Sequence, residues 1–346
     1  MGHRGTITTV AFHPIFNMLV TGSEDASLIL WECDEFAKEK SIKAHSNTIN
    51  SIAFDSNGKL LASASSDMTV KIWMFDTLTC IKALTGHEHT VSSVEFTPDG
   101  NFLYSASRDK SIKYWEISTG YCKKTFTGHT EWVRSISVNA INSLIASSSD
   151  DESIIVWGTD TANQLYYLTG HENKIEMVAF VKNQLALTNI FTSDYVESFN
   201  KGMVTSSTFI EENNQKEDSI NILMDLNKKI LEKGKTQQLT INKEYLISCS
   251  RDKSIKIWDV FASSCIFTFL GHDNWVRSFV VHPNGKNLIT TSDDKSVRVW
   301  DLNTGRVAKK LLDSHERFVT CVSINSKYPL MATGSNDKSV KIWSCK

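Results

Sequence analysis

Tryptophan recurs through this chain at a nearly fixed spacing. Trp31, Trp73, Trp115, Trp157, Trp258, Trp300 and Trp343 stand at intervals of 42, 42, 42, 101, 42 and 43 residues. Histidine keeps the same rhythm at His3, His45, His87, His129, His171, His272 and His315. Six residues before each of these tryptophans is an aspartate: Asp25, Asp67, Asp109, Asp151, Asp252, Asp294 and Asp337. Eight residues before each is a serine: Ser23, Ser65, Ser107, Ser149, Ser250, Ser292 and Ser335. Seven units with four fixed polar positions define a repeat architecture, in which each unit buries its faces only against its neighbours. The long interval is one period plus 59 residues, so one unit carries an insertion.

Each unit reads as four short strands. After His87 the apolar residues Val91, Val94 and Phe96 follow at +4, +7 and +9. A regular strand alternates by two, so the step from +4 to +7 predicts a β-bulge. A turn at Pro98-Asp99-Gly100 leads to a small-residue strand, Leu103 to Ser107, and a tight turn at Arg108-Asp109-Lys110 to a third, Ser111 to Trp115. Cys122 to Phe126 forms the outer strand. A period of ~40–45 residues with four strands per unit is that of WD40 repeats, so the expected fold is all-β: a seven-bladed WD40 β-propeller with a long insertion in blade five. Blade boundaries fall at 2–42, 43–84, 85–126, 127–168, 169–269, 270–312 and 313–346 of one propeller covering 1–346. Seventeen Phe, nine Trp and eight Tyr against four Pro suit packed sheet. Cys80, Cys122 and Cys265, each seven residues past the repeat tryptophan, read as small buried hydrophobes.

A Ser/His/Asp set suggests a hydrolase triad, but seven copies of it suggest structure. In each blade Asp orients His, His bonds Ser, and Ser receives the Trp indole N–H, which satisfies every buried polar group. The expected tetrads in blades three and five are Asp109, His87, Ser107 and Trp115, and Asp252, His171, Ser250 and Trp258. His13, His89 and His282 lie outside the repeat pattern at spacings that suit no metal site. No GxGxxG, GxxxxGK[ST] or HExxH motif occurs. Neither catalytic residues nor a cofactor is therefore expected. The net charge of −2, from 37 basic and 39 acidic residues, argues against a dedicated nucleic-acid binder. No apolar run approaches the ~18 residues of a membrane span, and seven cysteines without a CxxC pair read as reduced thiols.

What varies between repeats marks the candidate site. The residue before the repeat aspartate is Glu24, Ser66, Arg108, Asp150, Arg251, Asp293 or Asn336. Three and five residues past the histidine most blades carry small or polar residues such as Thr90 and Ser92. Blades four and six carry Trp132/Arg134 and Trp275/Arg277 instead. Val133 and Val276 between them point into the core, so these pairs point away from it. Trp and Arg dominate binding hot spots, and two such pairs share a face with Arg108 and Arg251.

The sequence resembles the lissencephaly-1 family of dynein regulators. The likeness is carried by Ser105 to Lys113 (SASRDKSIK), Gly120-Tyr121-Cys122, Gly128-His129 with Glu131-Trp132-Val133-Arg134, Gly271 to Arg277 (GHDNWVR), and the ending Val340 to Lys346. It covers all seven repeats apart from the insertion. The resemblance implies a non-enzymatic platform that docks on the motor domain of the cytoplasmic dynein heavy chain. Its contact residues carry over to Arg108, Arg134, Arg251 and Trp275, with Lys43 as a further basic contact. It also implies NudE-type coiled-coil adaptors and, in animals, acetylhydrolase catalytic subunits as partners. The implied setting is cytoplasmic, on microtubules and at the centrosome or spindle pole. The competing readings are a generic WD40 scaffold or ubiquitin-ligase substrate receptor, and a phosphopeptide reader, which would need a more basic face.

Two departures stand out. The family's LisH motif and coiled coil are absent, and the strand that normally precedes the first Gly-His is missing, which leaves blade seven with three strands. This reads as a truncated chain; the alternative is a propeller of 27 strands. The second departure is the insertion at 181–243, between the first and second strands of blade five. Within it Ile222, Leu223, Leu226 and Ile230 fall at helical spacing, with Ser219 as N-cap and Gly234 as a C′ stop, which predicts a helix over 219–233. It reads as a tolerated surface insertion rather than a partner-binding helix.

Overall fold

The chain is described here by a computed structural model, which covers residues 2–35, 37–181 and 244–345. Among the described residues there are 27 β-strands in seven antiparallel sheets and no helix. Six sheets have four strands and the seventh has three. Each begins with an innermost strand after the repeat histidine: β1 (Ile7–Phe12), β5 (Ile49–Phe54), β9 (Val91–Phe96), β13 (Val133–Val138), β17 (Ile175–Phe180), β21 (Val276–Val281) and β25 (Val319–Ile324). These seven lie side by side in chain order, and β25 returns to β1, which closes the ring of a seven-bladed β-propeller. The core sits between blades. Leu103 and Trp115 of blade three, for instance, pack on Ala62, Val70 and Ile72 of blade two.

Blade three shows how the repeat builds itself. The strands β9, β10 (Phe102–Ser107), β11 (Ser111–Glu116) and β12 (Cys122–Thr127) pair in sequence order. Val91 pairs with Ser107 and Ser93 with Ala106, so Ser92 is the extra residue of a bulge. The bulge expected from the sequence is present, and it recurs at Thr8, Asn50, Arg134, Glu176, Arg277 and Thr320. A bulge re-aims the side chain it extrudes, and here it turns the fifth residue after each histidine toward the channel mouth. The turn after each repeat aspartate needs a left-handed residue. Lys110 has φ 70°, and its counterparts Ala26, Met68, Glu152, Lys253, Lys295 and Lys338 fall between 63° and 71°.

Two expectations need correction or placement. Cys80, Cys122 and Cys265 are exposed, not buried. They lie on outermost strands, where only a residue near the next Gly-His turn, such as Phe126, reaches the core. The expected helix over 219–233 and most of the insertion lie outside the described residues. The flanking strands pair directly, Phe180 with Leu246, so the connection leaves and re-enters blade five between its first two strands. In the seventh sheet, β27 (Val340–Ser344) has no fourth strand beside it among the described residues. Trp31 and Trp343 are half-buried there, whereas the other five repeat tryptophans are buried.

Candidate functional site: a cation–aromatic face at the channel mouth

The repeated polar set is scaffold. Asp109 can only accept, so His87 donates through Nδ1 to Asp109 Oδ2 at 2.6 Å. His87 Nε2 then accepts from Ser105 Oγ at 2.7 Å, and the Trp115 indole donates to the same oxygen at 2.8 Å. Blade five repeats this with His171–Asp252 at 2.6 Å, His171–Ser248 at 2.7 Å and Trp258–Ser248 at 2.8 Å. The tetrad hydroxyls are therefore Ser105 and Ser248, and the expected Ser107 and Ser250 are not members. Ser107 instead accepts from the Asp109 amide at 3.0 Å and donates to Thr90 O at 2.9 Å, closing the turn. Both serines face the same way from β10, but Ser107 lies too near the turn to reach the ring. The true position, ten residues before each tryptophan, is Ser in four blades and Thr in three: Thr21, Ser63, Ser105, Ser147, Ser248, Thr290 and Thr333. That mixture hid it behind the unbroken serine column. Burial pushes the Asp109 carboxyl up, but hydrogen bonds from His87 and Ser111 outweigh it and hold the group well below the ordinary carboxylate range. Ser105 is fully buried, so its hydroxyl does not reach solvent.

The variable positions converge elsewhere, at the mouth of the central channel, beside a cavity of about 510 Å³ lined in part by Thr90, Ser92, Arg108, Arg134, Glu176 and Arg277. Arg108 lies over the ring of Trp132, its guanidinium carbon 4.6 Å from the centroid, and Arg251 lies over Trp275 at 4.2 Å. Arg277 approaches Trp275 from the next position at 4.9 Å, and Lys174 is 5.8 Å from Trp132. Such stacks favour Arg over Lys because the planar guanidinium keeps its edge donors free while its face is covered.

The arginines divide into two kinds. Arg134 is held by Asp150 and reaches Glu176 at 3.4 Å, and Arg277 binds Asp293 through two bonds of 2.9 and 2.8 Å. For Arg277, burial alone would lower the pKa, but the bond to Asp293 overcomes this and raises it. Arg251 gives its Nε to Glu176. Arg108 has no carboxylate partner among the described residues, and its pKa is lowered by burial and then by repulsion from Arg134. Arg108 therefore presents a guanidinium edge unpaired by carboxylate, Arg251 is tied through its Nε alone, and Arg134 and Arg277 brace the frame. Lys43 stands apart at the end of blade one's outer strand, donating to Asp25 O at 3.0 Å. Lys174 and Glu176 belong to this face and were not singled out from the sequence. The signal was available, since they fill in blade five the +3 and +5 positions that single out Trp132/Arg134 and Trp275/Arg277.

Residues 2–220, more than half of the chain, match the family model described as the TEP-1 second beta-propeller. Residues 238–259, 263–301 and 306–344 match the WD domain, G-beta repeat. The chain is a WD-repeat β-propeller of this family. Among curated relatives, the propeller is 46% identical over 90 residues to the Lissencephaly-1 homolog of Heterostelium pallidum, which is 26% of this chain and 22% of that protein. It is 43% identical over 90 residues, again 26% and 22%, to the Lissencephaly-1 homolog of Dictyostelium discoideum. It is also 43% identical over 81 residues to the Nuclear distribution protein PAC1 of Ajellomyces capsulatus, 23% of this chain and 18% of the relative. The matched stretches thus span about a fifth of these relatives' lengths.

Proposed function

We propose that this propeller is the docking module of a lissencephaly-type regulator of cytoplasmic dynein. It acts by binding rather than by turnover. The observation that supports this reading most is the pair of Arg–Trp stacks, Arg108 on Trp132 and Arg251 on Trp275, on one face. An indole covered by a guanidinium offers a partner a flat apolar surface and a row of N–H donors together, the combination that dominates protein–protein hot spots. The partner is the motor domain of the dynein heavy chain, and the consequence is support for minus-end transport, nuclear positioning and spindle orientation in the cytoplasm. NudE-type adaptors, and in animals acetylhydrolase subunits, share the same face. Lys43, apart from the cluster, is a peripheral contact.

The test is binding of the purified chain to a purified dynein motor domain by biolayer interferometry at several salt concentrations. Saturable binding that weakens as salt rises is expected, because guanidinium edges at a partly exposed rim are screened. No saturable binding at micromolar concentration would return the propeller to the generic scaffold reading.

A further inference from the structure

At four of the seven blade junctions the bulge residue ties one blade to the next. Thr8 donates to Ile49 O, Asn50 to Val91 O at 2.7 Å, Ser92 to Val133 O at 2.5 Å, and Thr320 to Ile7 O at 2.5 Å. Blade five carries Glu176 at this position. A carboxylate cannot donate to a neighbouring carbonyl, so the usual tie is given up there. What replaces it is charge. Glu176, nearly buried, receives Arg134 of blade four on Oε2, and Arg251 of blade five and Arg277 of blade six on Oε1.

Arg251 and Arg277 are also the two guanidiniums lying against Trp275. One carboxylate oxygen therefore holds both cations that flank the half-buried indole. Without it, Arg134 and Arg277 keep Asp150 and Asp293, but Arg251 would lose its one carboxylate partner among the described residues and face their positive charge alone. We propose that Glu176 is a positioning residue of the docking face: it fixes Arg251 and Arg277 against Trp275, so the indole is presented in one orientation before a partner arrives. This inference rests on the docking reading above and adds a residue to it. Holding an interface in its bound geometry strengthens binding by removing ordering costs, which appears mainly as slower dissociation.

Simple electrostatics predicts a different signature. Glu176→Gln makes the face more positive by one charge, which alters the association rate and its salt dependence. Loss of positioning raises the dissociation rate whatever the sign of the partner's charge.

The experiment uses Glu176→Gln and the charge-keeping Glu176→Asp, each with and without Trp275→Phe, with folding checked by thermal melting. The Trp275 fluorescence, isolated by difference, should be quenched by acrylamide about twice as readily in Glu176→Gln as in wild type. On immobilised dynein motor domain, Glu176→Gln should dissociate roughly tenfold faster, and Glu176→Asp should fall between it and wild type. If Glu176→Gln does not fold, Glu176→Asp carries the same two measurements. Unchanged Trp275 quenching overturns the proposal, as does an unchanged dissociation rate with only a smaller bound fraction, which signals misfolded protein. If wild type itself does not bind the motor domain, the docking reading fails and the quenching comparison alone decides the positioning.

Discussion

Arg251 lies over the ring of Trp275, 4.2 Å from guanidinium carbon to centroid, although the two belong to neighbouring blades. Arg108 and Trp132 repeat the arrangement at 4.6 Å between blades three and four. In both cases the arginine precedes the repeat aspartate of one blade and the tryptophan follows the histidine of the next by three residues. The propeller geometry thus pairs two positions that the chain never places side by side, and it does so twice on one face.

The tetrad hydroxyl gives the first prediction. Ser105→Ala leaves both His87 Nε2 and the Trp115 N–H without a partner in a fully buried site, at a cost on the order of 2–4 kcal/mol. Ser105→Thr should cost much less, since Thr21, Thr290 and Thr333 hold the same position in other blades. Asp109→Ala should cost about 1–3 kcal/mol by stranding the His87 donor. Urea unfolding of the three variants checks this. A threonine variant as unstable as the alanine one would contradict the hydroxyl's role.

Stability should fall with pH in two stages. Burial lowers the pKa of His3, His45, His272 and His315 below the ordinary 6.5, so the unfolded chain binds their protons more readily. Their contribution is complete above 6.5 and declines as pH drops below it. Asp25 and Asp67 are lowered from 3.8 to about 2; burial opposes this, but hydrogen bonds from Ser27 and Thr69 respectively outweigh it. Their contribution is present above 3.8 and lost as pH falls toward 2. Melting temperature measured from pH 8 to pH 3 should therefore drop below pH 6.5 and more steeply below pH 4. A melting temperature that rose on acidification would contradict the neutral, buried state of these histidines.

Ring closure depends on a glycine. A Cβ on Gly334 would fall 2.5 Å from Ile7 Cγ2 and 2.7 Å from Cys321 Sγ, where blade seven meets blade one. Gly334→Ala should destabilise the propeller by about 1–3 kcal/mol through overpacking. Denaturant unfolding measures it, and a neutral substitution would mean that this junction is looser than described.

Much of this was legible because a repeat reports its own structure. The bulge followed from the +4 to +7 step, and the blade count from seven tryptophans. The rim Arg and Trp residues stood out as departures from the repeat. What stayed hidden has two physical causes. The tetrad oxygen is supplied equally by Ser or Thr, so chemistry was constant where residue identity was not. Glu176 takes its partners from Arg134, 42 residues upstream, and from Arg251 and Arg277, 75 and 101 residues downstream, distances at which only the closed ring makes neighbours. The exposed cysteines were misplaced because position relative to tryptophan does not show that the outermost strand faces solvent.

The most direct test of the docking face is a set of dissociation constants for a dynein motor domain. Arg108→Ala, Arg251→Ala and Trp275→Ala are compared with Glu24→Ala and Ser66→Ala, which occupy the same turn as the arginines in blades one and two. Each of the first three should weaken binding by about 2 kcal/mol or more, roughly thirtyfold, with folding intact. The two controls should change it by no more than about twofold. The arginine effects should shrink with salt more than the Trp275 effect does, since the indole acts mainly through buried apolar area. Wild-type affinity in the Arg and Trp variants, or losses no larger than in the controls, would contradict docking through this face.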